Sequence, residues 1–197
     1  MSDLHIDGDR LLRRIDDLAT IGPIEGGGSC RLALTDEDRD GRDLVVAWMT
    51  DLGLDISMDG IGNVVGVRPG RTDGPPIMTG SHIDTVRTGG RFDGNLGVLA
   101  GLEVIETLEF NGITTEHPFA VAFFTDEEGA RFQPDMLGIL EKVFETTHLS
   151  EKVPMTMTPW KTISRSLQPP NHRPLLFLPA QSNCSLINNP STTQDTF

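Results

Sequence analysis

Leu11, Leu12, Ile15 and Leu18 recur at helical spacing and predict an amphipathic helix over about residues 8–20. Gly22-Pro23 and Gly26-Gly27-Gly28 then break the pattern into a loop. Thr35-Asp36-Glu37-Asp38 has the form of a helix N-cap with acids in the first turn. It opens a helix carrying Leu44, Val45, Trp48 and Leu52, which stops at Gly53. Leu54–Met58 and Asn63–Val67, joined through Asp59-Gly60, read as a strand pair. After a Pro- and Gly-rich loop at 69–76, Ile77-Met78-Thr79 predicts a short buried strand leading straight into Gly80-Ser81-His82. Leu96, Leu99, Ala100, Leu102, Val104, Ile105 and Leu108 make a mostly buried helix to Phe110. Phe119–Phe124 is a continuous apolar run suited to the middle of a sheet. Strands alternating with helices predict an α/β layered fold, with ligands at the C-terminal ends of the strands.

From about Ile139 this pattern fades, and composition changes with it. Residues 1–138 hold no lysine, 11 arginines and 25 acids, whereas residues 139–197 hold three lysines, two arginines and four acids. All 21 glycines lie at or before Gly138, and seven of the 13 prolines lie after it. The reading is a first segment, 1–138, carrying the N-terminal part of a catalytic α/β domain, and an unrelated tail, 139–197. Ser, Thr, Asn, Gln and Pro dominate the tail beyond Pro154, so it is expected to bury too little to fold.

A net charge of −13 argues against nucleic acid and anionic membranes as partners. No apolar run reaches the ~18–20 residues of a membrane span, and no basic-then-apolar leader opens the chain, so a cytoplasmic location is expected. The Asp-rich, Lys-free first segment has the look of adaptation to high salt; a GC-rich genome would also replace Lys by Arg.

Chemistry concentrates in Gly80-Ser-His-Ile-Asp-Thr-Val86, Gly89-Gly-Arg-Phe-Asp-Gly94 and Thr125-Asp-Glu-Glu-Gly129. Two of these stretches follow a predicted strand directly, and the other precedes a helix. His82 offers an imidazole nitrogen suited to zinc or a similar ion. Asp84, two residues on, can accept the other ring N–H and fix the tautomer. Asp93 can bridge two ions with its two oxygens. Glu127 and Glu128 point opposite ways if extended, so that one binds metal while the other serves as general base. Each residue has an ordinary use as well: a hydrogen-bonded histidine, a turn aspartate, a helix N-cap, a solvated acidic pair. Their joint placement at the strand ends of one α/β pattern favours the metal site, because gathered carboxylates need a cation to neutralise them.

These stretches, in this order, resemble the M20-type metal-dependent hydrolases. More narrowly they resemble the branch of N-carbamoyl-L-amino acid hydrolases, allantoate amidohydrolases and β-ureidopropionases. Arg31-Leu-Ala-Leu-Thr-Asp-Glu-Asp38 and Asp59-Gly-Ile-Gly-Asn63 fit as well, and His82 and Asp93 stand 11 positions apart, a shorter gap than in peptidase members. The resemblance covers about Leu11 to Gly138. It implies a three-layer sandwich of the zinc-dependent exopeptidase type, here incomplete. It makes His82, Asp93 and Glu128 metal ligands, Glu127 the general base and Asp84 the residue that orients His82. It implies two divalent ions (zinc, manganese or cobalt) and hydrolysis of linear amide or ureido C–N bonds in a small N-carbamoyl or ureido substrate. Full-length members dimerise through a lid domain, and that domain and the later metal-binding histidines are not recognisable here. A truncated, inactive product of a shifted reading frame or a mis-joined gene model is therefore expected. A metallopeptidase or aminoacylase relative and a non-catalytic relic are the alternatives.

Overall fold

The first two helices begin alike, with a short polar side chain turned back onto the first free amides. Asp7 caps α1 (Gly8–Ala19), its carboxylate accepting the Arg10 N–H at 2.9 Å. Thr35 caps α2 (Asp36–Asp51) through the Asp38 N–H at 3.3 Å, and the helix gives out at Leu52 before Gly53, whose φ of 69° only glycine adopts freely. The structure, a computed structural model, describes residues 4–140. The region assigned to the tail beyond Leu140, with His148, His172 and Leu175–Leu178, lies outside the described residues.

Strands β1 (Asp55–Met58) and β2 (Val64–Arg68) pair antiparallel. Between them the Asp59 carboxylate accepts the N–H groups of Ile61, Gly62 and Asn63 at 3.2, 3.0 and 2.9 Å. Strand β3 (Ile77–His82) connects through α3 (Asn95–Phe110) to β4 (Phe119–Phe124), which lies parallel beside it. The four-stranded sheet runs β1-β2-β4-β3, with β4 antiparallel to β2, so the fold is mixed α/β. Strand alternation puts Val64, Gly66, Val121 and Phe123 on one face. That face meets the helices: Met49 of α2 lies over Gly66, and Gly101 of α3 sits against Thr79 and Val121. Leu11, Ile15 and Leu18 of α1, Val45 of α2, and Val98, Leu102 and Ile105 of α3 complete one core with the sheet. Two layers of the expected sandwich are thus present among the described residues. None of the described helices is long and apolar enough to cross a membrane.

Two sequence expectations change. The start of β3 is not buried: Ile77 is 60% and Met78 47% exposed, because β3 is the end strand of the sheet among the described residues. Helix α3 begins from Gly94, without a side-chain cap, so Asp93 is not the cap that Asp-Gly before a helix favours. At the rim of the sheet where β2 ends and β3 begins, the 69–76 loop is held by the Arg71 and Thr72 amides on the Thr115 and Glu116 carbonyls, by the Thr72 hydroxyl on the Glu116 carbonyl at 2.9 Å and by Arg71 at 3.9 Å from the Glu116 carboxylate.

The core is pinned by two arginines. Arg31 is fully buried and donates to the carbonyls of Leu18, Ile21 and Ile83 at 3.1, 3.0 and 3.2 Å and to Asn95 Oδ1 at 3.1 Å. One guanidinium thereby ties the end of α1, the exit of β3 and the start of α3. Burial pulls it down to about 10, against the attraction of Asp38 and Asp84, and it remains charged at neutral pH. Arg10 of α1 forks onto the buried Glu103 of α3 at 2.8 and 2.7 Å, where the Asp7 N–H and the Thr107 hydroxyl also donate. Burial opposes ionisation of Glu103, and these donors more than offset it, so its pKa lies below the usual value.

Replacing Arg31 by leucine strips the donor from four buried acceptors at once. A loss of about 3–5 kcal/mol is expected, read as a lower urea midpoint at unchanged slope.

Candidate metal centre

Strands β3 and β4 run in step, His82 opposite Phe124, so the residues that follow each emerge at the same rim of the sheet. His82 closes β3, and its ring is buried. Its Nδ1 lies 2.9 Å from the backbone oxygen of Asp84. With that carbonyl accepting the Nδ1–H, Nε2 keeps its lone pair and faces outward as a ligand atom. Asp84 therefore meets His82 through its main chain; its carboxylate oxygen is 3.9 Å from Nδ1, beyond a hydrogen bond.

That carboxylate serves the opposite loop. Asp126 has a φ of 53°, a turn that aspartate tolerates better than most residues, and it bends the chain directly after β4. The amides of Glu127 and Glu128 consequently both face Asp84, at 3.3 Å from Oδ1 and 3.4 Å from Oδ2. The two glutamates are not an extended pair pointing apart, as strand geometry alone would have them. Glu127 Oε2 stands 3.3 Å from His82 Nε2. Glu128 joins His82 and Asp93 in a group whose ligand atoms all lie within 4.8 Å of one another. His5 and His117 are no part of that group.

Asp93 reaches the cluster because of Gly94. This residue has a φ of 64°, and a Cβ on it would lie 2.5 Å from His82 Cε1 and 2.6 Å from Nε2. Only a residue without a side chain lets the start of α3 sit on the imidazole.

The donor set fits a divalent cation. One imidazole nitrogen and carboxylate oxygens converge, and Glu128 Oε1 is buried with no hydrogen-bond partner among the described residues. Burial raises the Glu128 pKa; Asp93 and Glu127 push the same way, while His82 and the Val86 N–H oppose them. A bound cation would reverse that balance.

Beneath these groups lie Asp84 and two further acids, Asp38 and Asp126, to which sequence reasoning gave no role. Asp38 reads as an exposed first-turn acid, yet it is fully buried, with Oδ2 accepting the Leu34 N–H at 2.8 Å. Burial raises its pKa, against Arg42 and the Leu34 N–H. Asp84 is pushed up to about 6 by burial and by Asp38, and Asp126 to about 7 by burial and by Asp84. Arg131 locks the two layers of this ground floor together, donating to the Ala33 carbonyl at 2.8 Å and to that of Leu34. The signal for Asp38 was Thr35 three residues before it, which fits a buried helix start as well as an exposed one.

The description "Peptidase family M20/M25/M40" matches residues 78–162, a span that runs past Gly138. An N-carbamoyl-L-amino acid amidohydrolase of Geobacillus stearothermophilus is 46% identical over 134 residues, covering 68% of this chain and 33% of the relative. A ureidoglycolate hydrolase of rice (Oryza sativa subsp. japonica) is 36% identical over 138 residues, 70% of this chain and 28% of that protein. Among solved structures, a hydantoinase/carbamoylase family amidase from Burkholderia ambifaria aligns with a TM-score of 0.67 at 52% identity, over 68% of this chain and 34% of that one. The chain thus spans about a third of the length of the amidohydrolases it matches.

Gly94→Ala is expected to cost the protein about 10–100-fold in zinc affinity by isothermal titration calorimetry, since the new methyl group must displace the His82 ring. In metal-free protein, Asp84 and Asp126 hold protons more tightly folded than unfolded. Stability therefore falls as pH rises through these values, and thermal melts in EDTA should drop between pH 5 and 7. Excess zinc should raise the melting temperature more at pH 7 than at pH 5.

Proposed function

We propose, on the premise that the N-terminal part of this chain belongs to the M20-type amidohydrolases of the hydantoinase/carbamoylase branch, that it carries half of a dinuclear metal centre for hydrolysis of linear amide or ureido C–N bonds. The observation that supports this most directly is the convergence of His82, Asp93 and Glu128, whose ligand atoms lie within 4.8 Å of one another. His82, Asp93 and Glu128 would hold the ions, and zinc, manganese or cobalt would suit such mixed nitrogen and oxygen donors. When bound, the ions supply Lewis-acid charge that acidifies a water and polarises the scissile carbonyl.

The remaining steps fall to the protein's own groups. The Asp84 carbonyl holds His82 in the tautomer that leaves Nε2 free. The Asp84 carboxylate, through the amides of Glu127 and Glu128, fixes the distance between the two loops. Glu127, whose carboxylate is partly open to solvent and 3.3 Å from Nε2, takes the proton of the attacking water and passes it to the leaving nitrogen. An N-carbamoyl substrate would release ammonia and carbon dioxide. The relatives named for N-carbamoyl amino acids and ureidoglycolate support a small ureido or carbamoyl substrate over a peptide.

Joined to the remaining two thirds of a full-length relative and loaded with zinc, manganese or cobalt, the chain should release ammonia from N-carbamoyl-L-amino acids faster than it cleaves dipeptides or N-acetyl amino acids, whereas the chain alone, with half of the centre, should show no turnover. Glu127→Gln should lower that rate by about 10²–10⁴-fold while metal affinity stays within threefold. Preference for dipeptides, or a Glu127→Gln variant with undiminished turnover, would overturn the proposal.

A further inference from the structure

We infer that Asn63 is a positioning residue for the Glu127–Glu128 corner; this rests on the metal-hydrolase reading and adds to it the group that sets where those two carboxylates stand. Asn63 lies one residue before β2, and its side chain is buried. The β2–β4 ladder starts at Val64 opposite Phe123, so the chain beyond Phe124 has no strand partner to hold it. Asn63 continues the ladder with its side chain instead. Its Oδ1 accepts the Thr125 N–H at 3.0 Å, and its Nδ2 donates to the Gly138 carbonyl at 2.8 Å and to Asp59 Oδ2 at 2.9 Å.

The Gly138 N–H in turn donates to the Thr125 carbonyl at 2.9 Å, which closes a ring of hydrogen bonds through Asn63, Thr125 and Gly138. The neighbouring bonds follow in register: Leu137 N–H to the Asp126 carbonyl at 3.2 Å and Met136 N–H to that of Glu127 at 2.8 Å. The peptide group on each side of Glu127 is therefore committed, with its N–H on Asp84 and its C=O on Met136. Both ends of the left-handed turn at Asp126 are held, and Asn63 holds the upstream end.

The amide cannot be inverted or replaced by a near-isostere. One side faces an N–H, and the other faces a carbonyl and a carboxylate. An aspartate there would keep the Thr125 bond but set a carboxylate oxygen against Asp59 and the Gly138 carbonyl. Space is closed too, because a Cβ on Gly138 would run into Asn63 Oδ1.

The test is Asn63→Asp in the full chain, read by amide hydrogen exchange without metal and by the visible absorption of the cobalt(II)-loaded protein. The expected result is at least tenfold faster exchange at 125–128 and 136–138, with α1 and α3 as protected as before. The cobalt band should change shape, with at least tenfold weaker affinity, a signature that general loss of stability does not produce. Wild-type exchange at 125–128 together with a wild-type cobalt spectrum would overturn the inference. Should Asn63→Asp fail to fold, the double variant Asp59→Asn/Asn63→Asp restores a donor and acceptor between positions 59 and 63 while leaving the Gly138 carbonyl against a carboxylate. Faster exchange at 136–138 and 125–128 in that variant supports the clamp, and full protection overturns it. A wild-type chain that binds no cobalt yet shows the exchange effect overturns the metal reading and still supports the clamp.

Discussion

Two strands that run parallel and in step must release their chains at the same rim of a sheet. Here β3 and β4 do so with His82 opposite Phe124, and helix α3 supplies the crossover between them. Three stretches of sequence remote from one another are delivered to one place by that register. His82 and Asp84 leave β3, Glu127 and Glu128 leave β4, and Asp93 comes from the start of the crossover helix. A slip of one residue in the pair would turn His82 to the other face and dissolve the cluster.

The same register concentrates acid. Asp38, Asp84 and Asp126 are buried beneath Asp93, Glu127 and Glu128, and burial raises the pKa of Asp38, Asp84 and Asp126. Hydrogen bonds offset part of this cost: main-chain N–H groups turn onto Asp84 and Asp38, and arginines crowd the floor from three directions. Arg31, Arg42 and Arg131 donate to neutral acceptors, so their charge remains to balance the acids nearby. Among the described residues no arginine is paired with Asp93, Glu127 or Glu128, and the cation of the proposed reading would supply that balance.

Much of this was readable from residues alone, and the reasons differ by element. The strong periodicities of α1 and α2 and the unbroken apolar run of β4 placed those elements within a residue or two. Adjacency between loops came from the α/β alternation, which grouped His82 and Asp93 with the Glu127–Glu128 pair, while the choice of Glu128 as the ligand came from the family resemblance. Exposure of Ile77 and Met78 was not readable, because an edge strand and a central one share the same apolar letters. Nor was the orientation of Glu127 and Glu128, which depends on a positive φ at Asp126 that sequence does not announce. Gly94 and Asn63 stood inside quoted motifs, but what they do is steric and three-dimensional: one makes room for an imidazole, the other bridges segments 75 residues apart.

The loop at 69–76 is anchored to residues 115 and 116 by backbone bonds, by the Thr72 hydroxyl and by Arg71 beside the Glu116 carboxylate, at the far rim from the His82 cluster. With no side chain there committed to the cluster, the polypeptide has a quiet pole opposite its reactive one. A fluorophore, an affinity handle or a surface tether attached at that pole would present the rim that carries His82, Asp93 and Glu128 outward.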